Sequence, residues 1–125
     1  MTDFIHRVAD GLSALGINFR EDGPVIRIPL PEQFGELEIR EIEEGDTVVG
    51  LVDNDWHTHA DLLTGYGPDN EVDATVFFVK GIFGGEFLLI EEQEVGKPPV
   101  KTIEDDLEIY LESLPDGAKY RIFGK

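Results

Sequence analysis

Apolar residues recur along this chain at two different spacings, and the changes of spacing predict a mixed fold. The first apolar positions fall every three or four residues, which predicts a helix over residues 3–15, capped by Thr2 or Asp3. The next ones alternate with polar residues on both sides of Asp22-Gly23, which predicts a β-hairpin. The alternation of apolar and polar residues resumes from Leu37, which predicts that strands follow the first helix.

The middle of the chain contains a segment for which two secondary structures compete. After a turn expected at Glu44-Gly45-Asp46, a nearly continuous apolar run predicts a strand. From Glu71 to Phe83, a preceding Asp69 or Asn70 as the cap and acidic residues in the first turn favour a helix. The strand-prone residues 75–79 and the Gly84-Gly85 pair fit a hairpin instead. We favour the helix and keep the hairpin as the alternative.

The C-terminal third predicts two more strands and one more helix. Apolar residues indicate strands over residues 86–92 and over Lys119–Phe123. Between them, Thr102 and Asp105 form a capping-box-like start, which predicts a helix over residues 102–114. We therefore expect one α+β domain over residues 1–125. It should contain a mainly antiparallel sheet of five to six strands, with two or three helices packed largely on one face.

Residues 51–63 depart from this pattern because titratable and aromatic side chains are concentrated there. The segment holds the only tryptophan and two of the three histidines. If Val52 ends a strand and the alternation continues past it, side chains at every second position share one face. The polar face would then carry Asp53, Asp55, His57, His59 and Asp61. The other face would carry Asn54, Trp56, Thr58 and Ala60.

Charge and composition narrow the classes of function. The chain has 27 acidic and 10 basic side chains, so it is expected to repel nucleic acid and anionic membranes and to attract a basic protein partner. The same charge can also serve solubility alone. Because cysteine is absent, a disulfide, a thiolate metal site and a cysteine nucleophile are excluded. Short apolar runs and no secretory signal predict a cytoplasmic protein without a membrane span.

Metal binding is the first chemical hypothesis for the polar face. Two histidines at i and i+2 on a strand project to the same side, so His57 and His59 could ligate one divalent ion such as zinc. Asp55 or Asp61 could add an oxygen ligand. The five residues His-Thr-His-Ala-Asp also resemble the His-x-His-x-Asp core of metallo-β-lactamase-like hydrolases, which implies a metal-dependent hydrolase. Leu62 stands where that family places a further histidine.

Acid–base catalysis and protein recognition are the interpretations that need no metal. A histidine beside carboxylates could transfer protons near neutral pH, or the pair could only tie down a loop. The structural role, in which the pair only holds a loop in place, is favoured over catalysis because the sequence identifies no nucleophile or oxyanion pocket. For recognition, Trp56, Tyr66 and the histidines would offer aromatic contacts inside a ring of carboxylates. Trp56 could equally plug the core end of the sheet.

A diffuse resemblance covers about the middle third of the chain. The acidic turn with Trp56-His57-Thr58-His59, the segment Ile82-Phe83-Gly84-Gly85-Glu86 and the strand Phe87-Leu88-Leu89-Ile90-Glu91-Glu92 resemble small bacterial proteins of the immunity type, which are encoded beside polymorphic toxins. The resemblance implies that an acidic face neutralises a basic toxin by tight binding, without chemistry.

Together these observations predict a non-enzymatic, acidic binding protein that needs no cofactor. It is expected to act as an immunity-like inhibitor of a basic partner protein. The candidate contact region comprises Asp53, Asp55, Trp56, His57, His59 and Asp61. The alternative is a small metal-binding or metal-dependent hydrolytic enzyme in which His57, His59 and Asp61 hold the ion.

Overall fold

The protein has an α+β fold, and among the residues that the structure describes eight strands form two antiparallel sheets. The computed structural model describes residues 3–43 and 46–124. The helices are α1 (Asp3–Ala14), α2 (Ala60–Leu63), α3 (Glu71–Phe83) and α4 (Leu107–Ser113). The strands are β1 (Arg20–Asp22), β2 (Val25–Pro29), β3 (Glu36–Glu43), β4 (Asp46–Leu51), β5 (His57–His59), β6 (Leu88–Gln93), β7 (Val100–Glu104) and β8 (Lys119–Phe123). The expected fold class is therefore confirmed.

The first sheet is a meander whose strands lie in the order β1-β2-β3-β4-β5. The hairpin predicted at Asp22-Gly23 joins β1 to β2, and Gly23 has the positive φ of 64° that such a turn favours. One face of the sheet is buried against α1 and α3 in the main core. The inward side chains are Ile26, Ile28, Leu37, Ile39, Val49 and Leu51. The residues between them are half-buried or exposed, so the sheet is amphipathic.

The second sheet has three strands in the order β7-β6-β8. Its central strand is apolar on both faces, because Leu89 joins the main core while Leu88 and Ile90 pack with Tyr110 of α4. The last strand occurs where the sequence predicts it, at Lys119–Phe123. The expected five- to six-stranded antiparallel sheet is present with five strands, and the three further strands form this second sheet.

The competing predictions for Glu71–Phe83 are decided in favour of the helix. Asn70 is the N-cap, and its Oδ1 accepts a hydrogen bond from the backbone N–H of Asp73 at 2.8 Å. Ala74, Phe78, Val79 and Ile82 then turn one face of α3 into the core. Helical capping and burial therefore outweigh the strand preference of the β-branched residues in this segment.

The helix predicted over residues 102–114 is wrong in its first turn. Thr102 and Ile103 lie in β7, where they pair with Ile90 and Leu89, and burial of Ile103 in the core stabilises this extended conformation. The helix begins at Leu107 and is capped by Asp106. The helix α4 packs on the second sheet, where Tyr110 contacts Leu88 and Ile90.

The remaining expectations concern a turn, a helix cap and the absence of a membrane-spanning helix. The turn at Glu44 and Gly45 and the cap at Thr2 lie outside the described residues. Within residues 3–43 and 46–124, no helix is long and apolar enough to cross a membrane.

Candidate functional site

The segment after β4 forms a tight hairpin, so the alternation considered past Val52 does not continue through the turn. The chain reverses over residues 52–55 and returns as β5, which pairs antiparallel with β4. The Leu51 N–H donates to the Trp56 carbonyl at 3.2 Å, and the Val52 N–H donates to the Glu36 carbonyl at 2.9 Å. Asp53 has a φ of 63°, a left-handed conformation that aspartate adopts more readily than most residues. The simple alternation therefore fails over residues 53–55.

Asn54 fastens this turn to the second sheet. Its Oδ1 accepts a hydrogen bond from the backbone N–H of Lys101 in β7 at 3.0 Å. Its Nδ2 donates to the Val52 carbonyl at 3.2 Å. The sequence placed Asn54 on the face opposite the candidate site, and only the tertiary structure shows that it holds the site in place.

The two histidines of β5 share one face, as the alternation predicts. Their ring centroids lie 5.6 Å apart with an interplanar angle of 78°. His57 Nδ1 is 3.0 Å from the Asp55 carbonyl, and His59 Nδ1 is 3.0 Å from Asp46 Oδ1. A carbonyl can only accept, so His57 Nδ1 carries the proton, and an ionised Asp46 imposes the same tautomer on His59. Each ring therefore keeps Nε2 as its second, unprotonated nitrogen when neutral.

A broad cavity of about 810 Å³ occupies the open face of the first sheet. It is lined by Arg27, Glu38, Arg40, Ile42, Val48, Gly50, Leu51, Val52, Asp53, Asn54, Asp55, Trp56, His57 and His59. Gly50 pairs with His57 across the two strands, and a Cβ at Gly50 would lie 3.2 Å from both His57 Cβ and the Trp56 carbonyl. The glycine therefore allows β5 to approach β4 closely.

The two ends of this cavity differ in charge. At one end Glu38 lies between two arginines, 3.5 Å from Arg27 Nη2 and 3.3 Å from Arg40 Nε. At the hairpin end, Asp53 and Asp55 are exposed, and within the described part of the chain neither carboxylate forms a salt bridge or a side-chain hydrogen bond. The hairpin end therefore offers carboxylates that are available to a partner.

Trp56 connects the open face with the interior. Its indole is half-buried and stacks on Phe78 of α3, with ring centroids 6.1 Å apart and an interplanar angle of 9°. It lines the broad cavity and also a smaller one on the other side of β5. Trp56 thus packs against the core and also lines a surface cavity, and its role in recognition stays a prediction.

Five of the six predicted contact residues line the broad cavity. They are Asp53, Asp55, Trp56, His57 and His59. Asp61 does not line it and lies exposed in α2, where its backbone carbonyl accepts a hydrogen bond from Thr64 Oγ1 at 2.7 Å. Among residues 3–43 and 46–124, no group of three or more histidine, aspartate or glutamate side chains is placed to hold a metal ion.

Sequence reasoning missed the strand residues that complete the open face. Arg27, Glu38, Arg40 and Val48 lie beside the hairpin only because β2, β3 and β4 align in register. Their alternation with buried residues showed that they point outward. It could not show which outward residues become neighbours, because pairing register depends on the whole sheet.

The fold and its surface define an α+β protein with a concave, partly charged face on an antiparallel sheet. Comparison of the chain with protein-family models, with curated protein sequences and with solved structures gave no match. Its function must therefore be argued from the side chains of this surface.

Proposed function

We propose that this protein is a non-enzymatic inhibitor that binds a basic partner protein through the hairpin end of the broad cavity. The observation that carries the proposal is the placement of Asp53 and Asp55, two exposed carboxylates without an ion pair among the described residues, beside the half-buried indole of Trp56. Tryptophan is among the side chains most enriched in protein-binding hot spots. Exposed carboxylates without ion-pair partners complement the charge of a basic protein.

The net charge of -17 supports a basic partner rather than an acidic one. Long-range attraction by this charge would raise the rate of encounter, and the effect would weaken as salt shortens the range of the field to about 10 Å at 0.1 M. Contacts with Trp56 and the histidines would then slow dissociation. The net charge would therefore speed association, and the aromatic and histidine contacts of the open face would slow dissociation.

The rigid support of the hairpin also favours recognition. Asn54 ties the turn to Lys101, and Trp56 is stacked on Phe78, so the contact residues are held before a partner arrives. A preorganised surface loses less conformational entropy on binding than a mobile loop does. We propose that the protein acts in this way as an immunity-like inhibitor of a basic toxin.

The proposal is tested by differential capture from a bacterial extract, followed by affinity measurement with the purified captured protein. Three columns would carry the wild type, the double variant Asp53→Asn/Asp55→Asn, and the control Glu112→Gln/Asp116→Asn. Asparagine retains the left-handed conformation at residue 53, and the control removes the same charge from residues that line neither cavity. Equal net charge in the two variants separates a local contact from general attraction.

We expect the wild-type and control columns to capture a basic protein that the column carrying Asp53→Asn/Asp55→Asn does not capture. Its dissociation constant should rise about tenfold or more in that variant, as expected for hot-spot residues. An empty wild-type column, or the same proteins on all three columns, would contradict the proposal.

A second candidate function is binding of a divalent transition metal by His57 and His59. The hydrogen bonds at both Nδ1 atoms favour it, because ligating histidines are commonly oriented by a carbonyl or carboxylate at the other ring nitrogen. Two imidazoles that bind one tetrahedral ion through Nε2 have ring centroids about 5 Å apart. The observed 5.6 Å is close to this value, and water would complete the shell.

The histidines themselves provide the test of metal binding. Zinc and nickel would be titrated calorimetrically into the wild type, His57→Ala, His59→Ala and the control His6→Ala, whose histidine is exposed in α1. Binding in the micromolar range that is lost in the first two variants and kept in the third would support the candidate. Equal affinity in all four proteins would eliminate it.

A further inference from the structure

The smaller cavity, of about 160 Å³, lies on the side of β5 opposite the histidines. It is lined by Trp56, Thr58, Leu62, Leu63, Tyr66, Phe78, Phe87, Ile103, Glu104 and Asp105. Four of these ten residues are aromatic and two are acidic, and none is basic. This composition differs from that of the broad cavity, which includes two arginines.

The four aromatic rings form a continuous wall. Phe78 contacts both Trp56 and Phe87, with ring centroids 6.1 Å and 4.8 Å apart, and Tyr66 meets Phe87 edge-on at 4.9 Å. Phe78 and Phe87 are almost fully buried, whereas Tyr66 is 43% exposed and stands at the mouth. The wall therefore presents aromatic surface from the core outward to solvent.

Two adjacent carboxylates, Glu104 and Asp105, lie beside this aromatic wall. Tyr66 Oη donates to Asp105 Oδ2 at 3.0 Å, which orients the phenol ring. Neither carboxylate forms a salt bridge with a side chain of residues 3–43 or 46–124. Burial, and secondly the charge of Asp105, raise the pKa of Glu104 even though a hydrogen bond with Thr102 opposes this. Glu104 is thus partly desolvated, Asp105 is exposed, and neither carboxylate is paired with a cationic side chain among the described residues.

We propose that this smaller cavity binds an alkylammonium group. A cation gains from the faces of aromatic rings within about 6 Å, most of all from tryptophan, and such rings are the usual receptors for methylated ammonium ions. The two carboxylates supply the opposite charge, and the buried apolar side chains of Leu63 and Ile103, which also line the cavity, suit the apolar carbons of the ligand. An anion would meet repulsion there, and a neutral ligand would leave both carboxylates without compensation.

This inference is independent of the proposed inhibitor function, because the cavity lies on the other side of β5 from the histidines. The same chemistry could come from a free quaternary amine or from a lysine side chain of a protein. The probes are therefore choline and the blocked amino acid N-acetyl-lysine methylamide. The neutral molecule 3,3-dimethylbutan-1-ol has the shape of choline without its charge and serves as the matched control.

Binding would be followed by the fluorescence of Trp56, the only tryptophan, which lines the cavity. We expect choline to bind in the millimolar range and the neutral isostere to bind about tenfold more weakly, since charge contributes strongly to such sites. If the lysine derivative binds as tightly as choline, a protein side chain is the natural source; if it binds much more weakly, a free methylated amine is. Equal affinity for choline and its isostere, or no binding of either amine, would overturn the proposal.

Variants assign the effect to named side chains. Glu104→Gln and Tyr66→Leu should each weaken choline binding about three- to tenfold, by removing the charge or the ring face. Glu112→Gln changes the net charge equally but lies outside the cavity, so it should bind choline as the wild type does. Thermal unfolding of each variant establishes that it is folded. Unchanged affinity in Glu104→Gln and Tyr66→Leu would refute the site even if choline binds elsewhere.

Discussion

Replacing Asn54 by alanine should destabilise the protein although the side chain belongs to a surface turn. The change removes two hydrogen bonds, one donated to the Val52 carbonyl at 3.2 Å and one accepted from the Lys101 N–H at 3.0 Å. The second bond joins the β4–β5 hairpin to the edge strand of the other sheet. Its loss leaves a part-buried backbone donor without its partner, which costs about 1–3 kcal/mol. We therefore expect a loss of about 2 kcal/mol in the free energy of unfolding.

Urea denaturation followed by tryptophan fluorescence measures this loss. For a denaturant slope of about 2 kcal/mol per molar, the midpoint should fall by about 1 M. Asn54→Asp retains an acceptor for Lys101 and should fall between the wild type and Asn54→Ala. Asn18→Ala is the control, because Asn18 is exposed and makes no hydrogen bond with another described residue. A midpoint for Asn54→Ala within error of the Asn18→Ala midpoint would refute the role given to this bond.

Three further perturbations test the packing, the hairpin and the acidic pair. Leu89→Ala removes a fully buried side chain and should cost about 3 kcal/mol of unfolding free energy, measured by urea titration. Gly50→Ala should cost about 1 kcal/mol and weaken protection of β5 amides from hydrogen exchange, because its Cβ lies only 3.2 Å from the Trp56 carbonyl. Glu104 has a raised pKa, so the folded state binds its proton more tightly than the unfolded state does, and its contribution to stability falls as pH rises above the ordinary value of 4.5. The free energy of unfolding of the wild type minus that of Glu104→Gln should therefore decrease from acid to neutral pH. A difference that stays constant would contradict this.

The secondary structure was predictable wherever the local signals agree with one another. The first helix, the hairpin at Asp22-Gly23 and the last strand have matching periodicity and turn residues. At Glu71–Phe83 the helix is confirmed against a run of strand-prone side chains, and of the two candidate caps, Asp69 and Asn70, it is Asn70 that forms the cap. Local signals succeed in these segments because the tertiary contacts favour the same conformation.

The start of α4 shows why the prediction fails where local and long-range preferences conflict. Thr102 and Asp105 have the spacing of a capping box, yet Thr102 pairs with Ile90 and the residue that caps the helix is Asp106. A strand partner twelve residues earlier in the chain cannot be recognised from the pattern of one segment. The division into two sheets is invisible for the same reason, because it depends on which strands pair.

The candidate site was predictable in composition and only partly in geometry. The histidines at i and i+2 share a face as expected, whereas Asp53 and Asp55 lie in a turn whose backbone departs from the strand. Glu104 and Asp105 lie beside the aromatic wall because β7 pairs with β6. No sequence pattern near Trp56 could therefore predict that they line the same cavity.

The three-residue strand β5 separates two surfaces of different chemistry, and this separation makes the proposals distinguishable. His57 faces the broad cavity, whereas Thr58 faces the aromatic one, and of the described residues Trp56 alone lines both. His57→Ala should therefore leave choline binding unchanged, and Tyr66→Leu should leave partner capture unchanged. If each variant instead impaired both activities with an unaltered unfolding midpoint, the two cavities would have to act as one site that communicates through the indole.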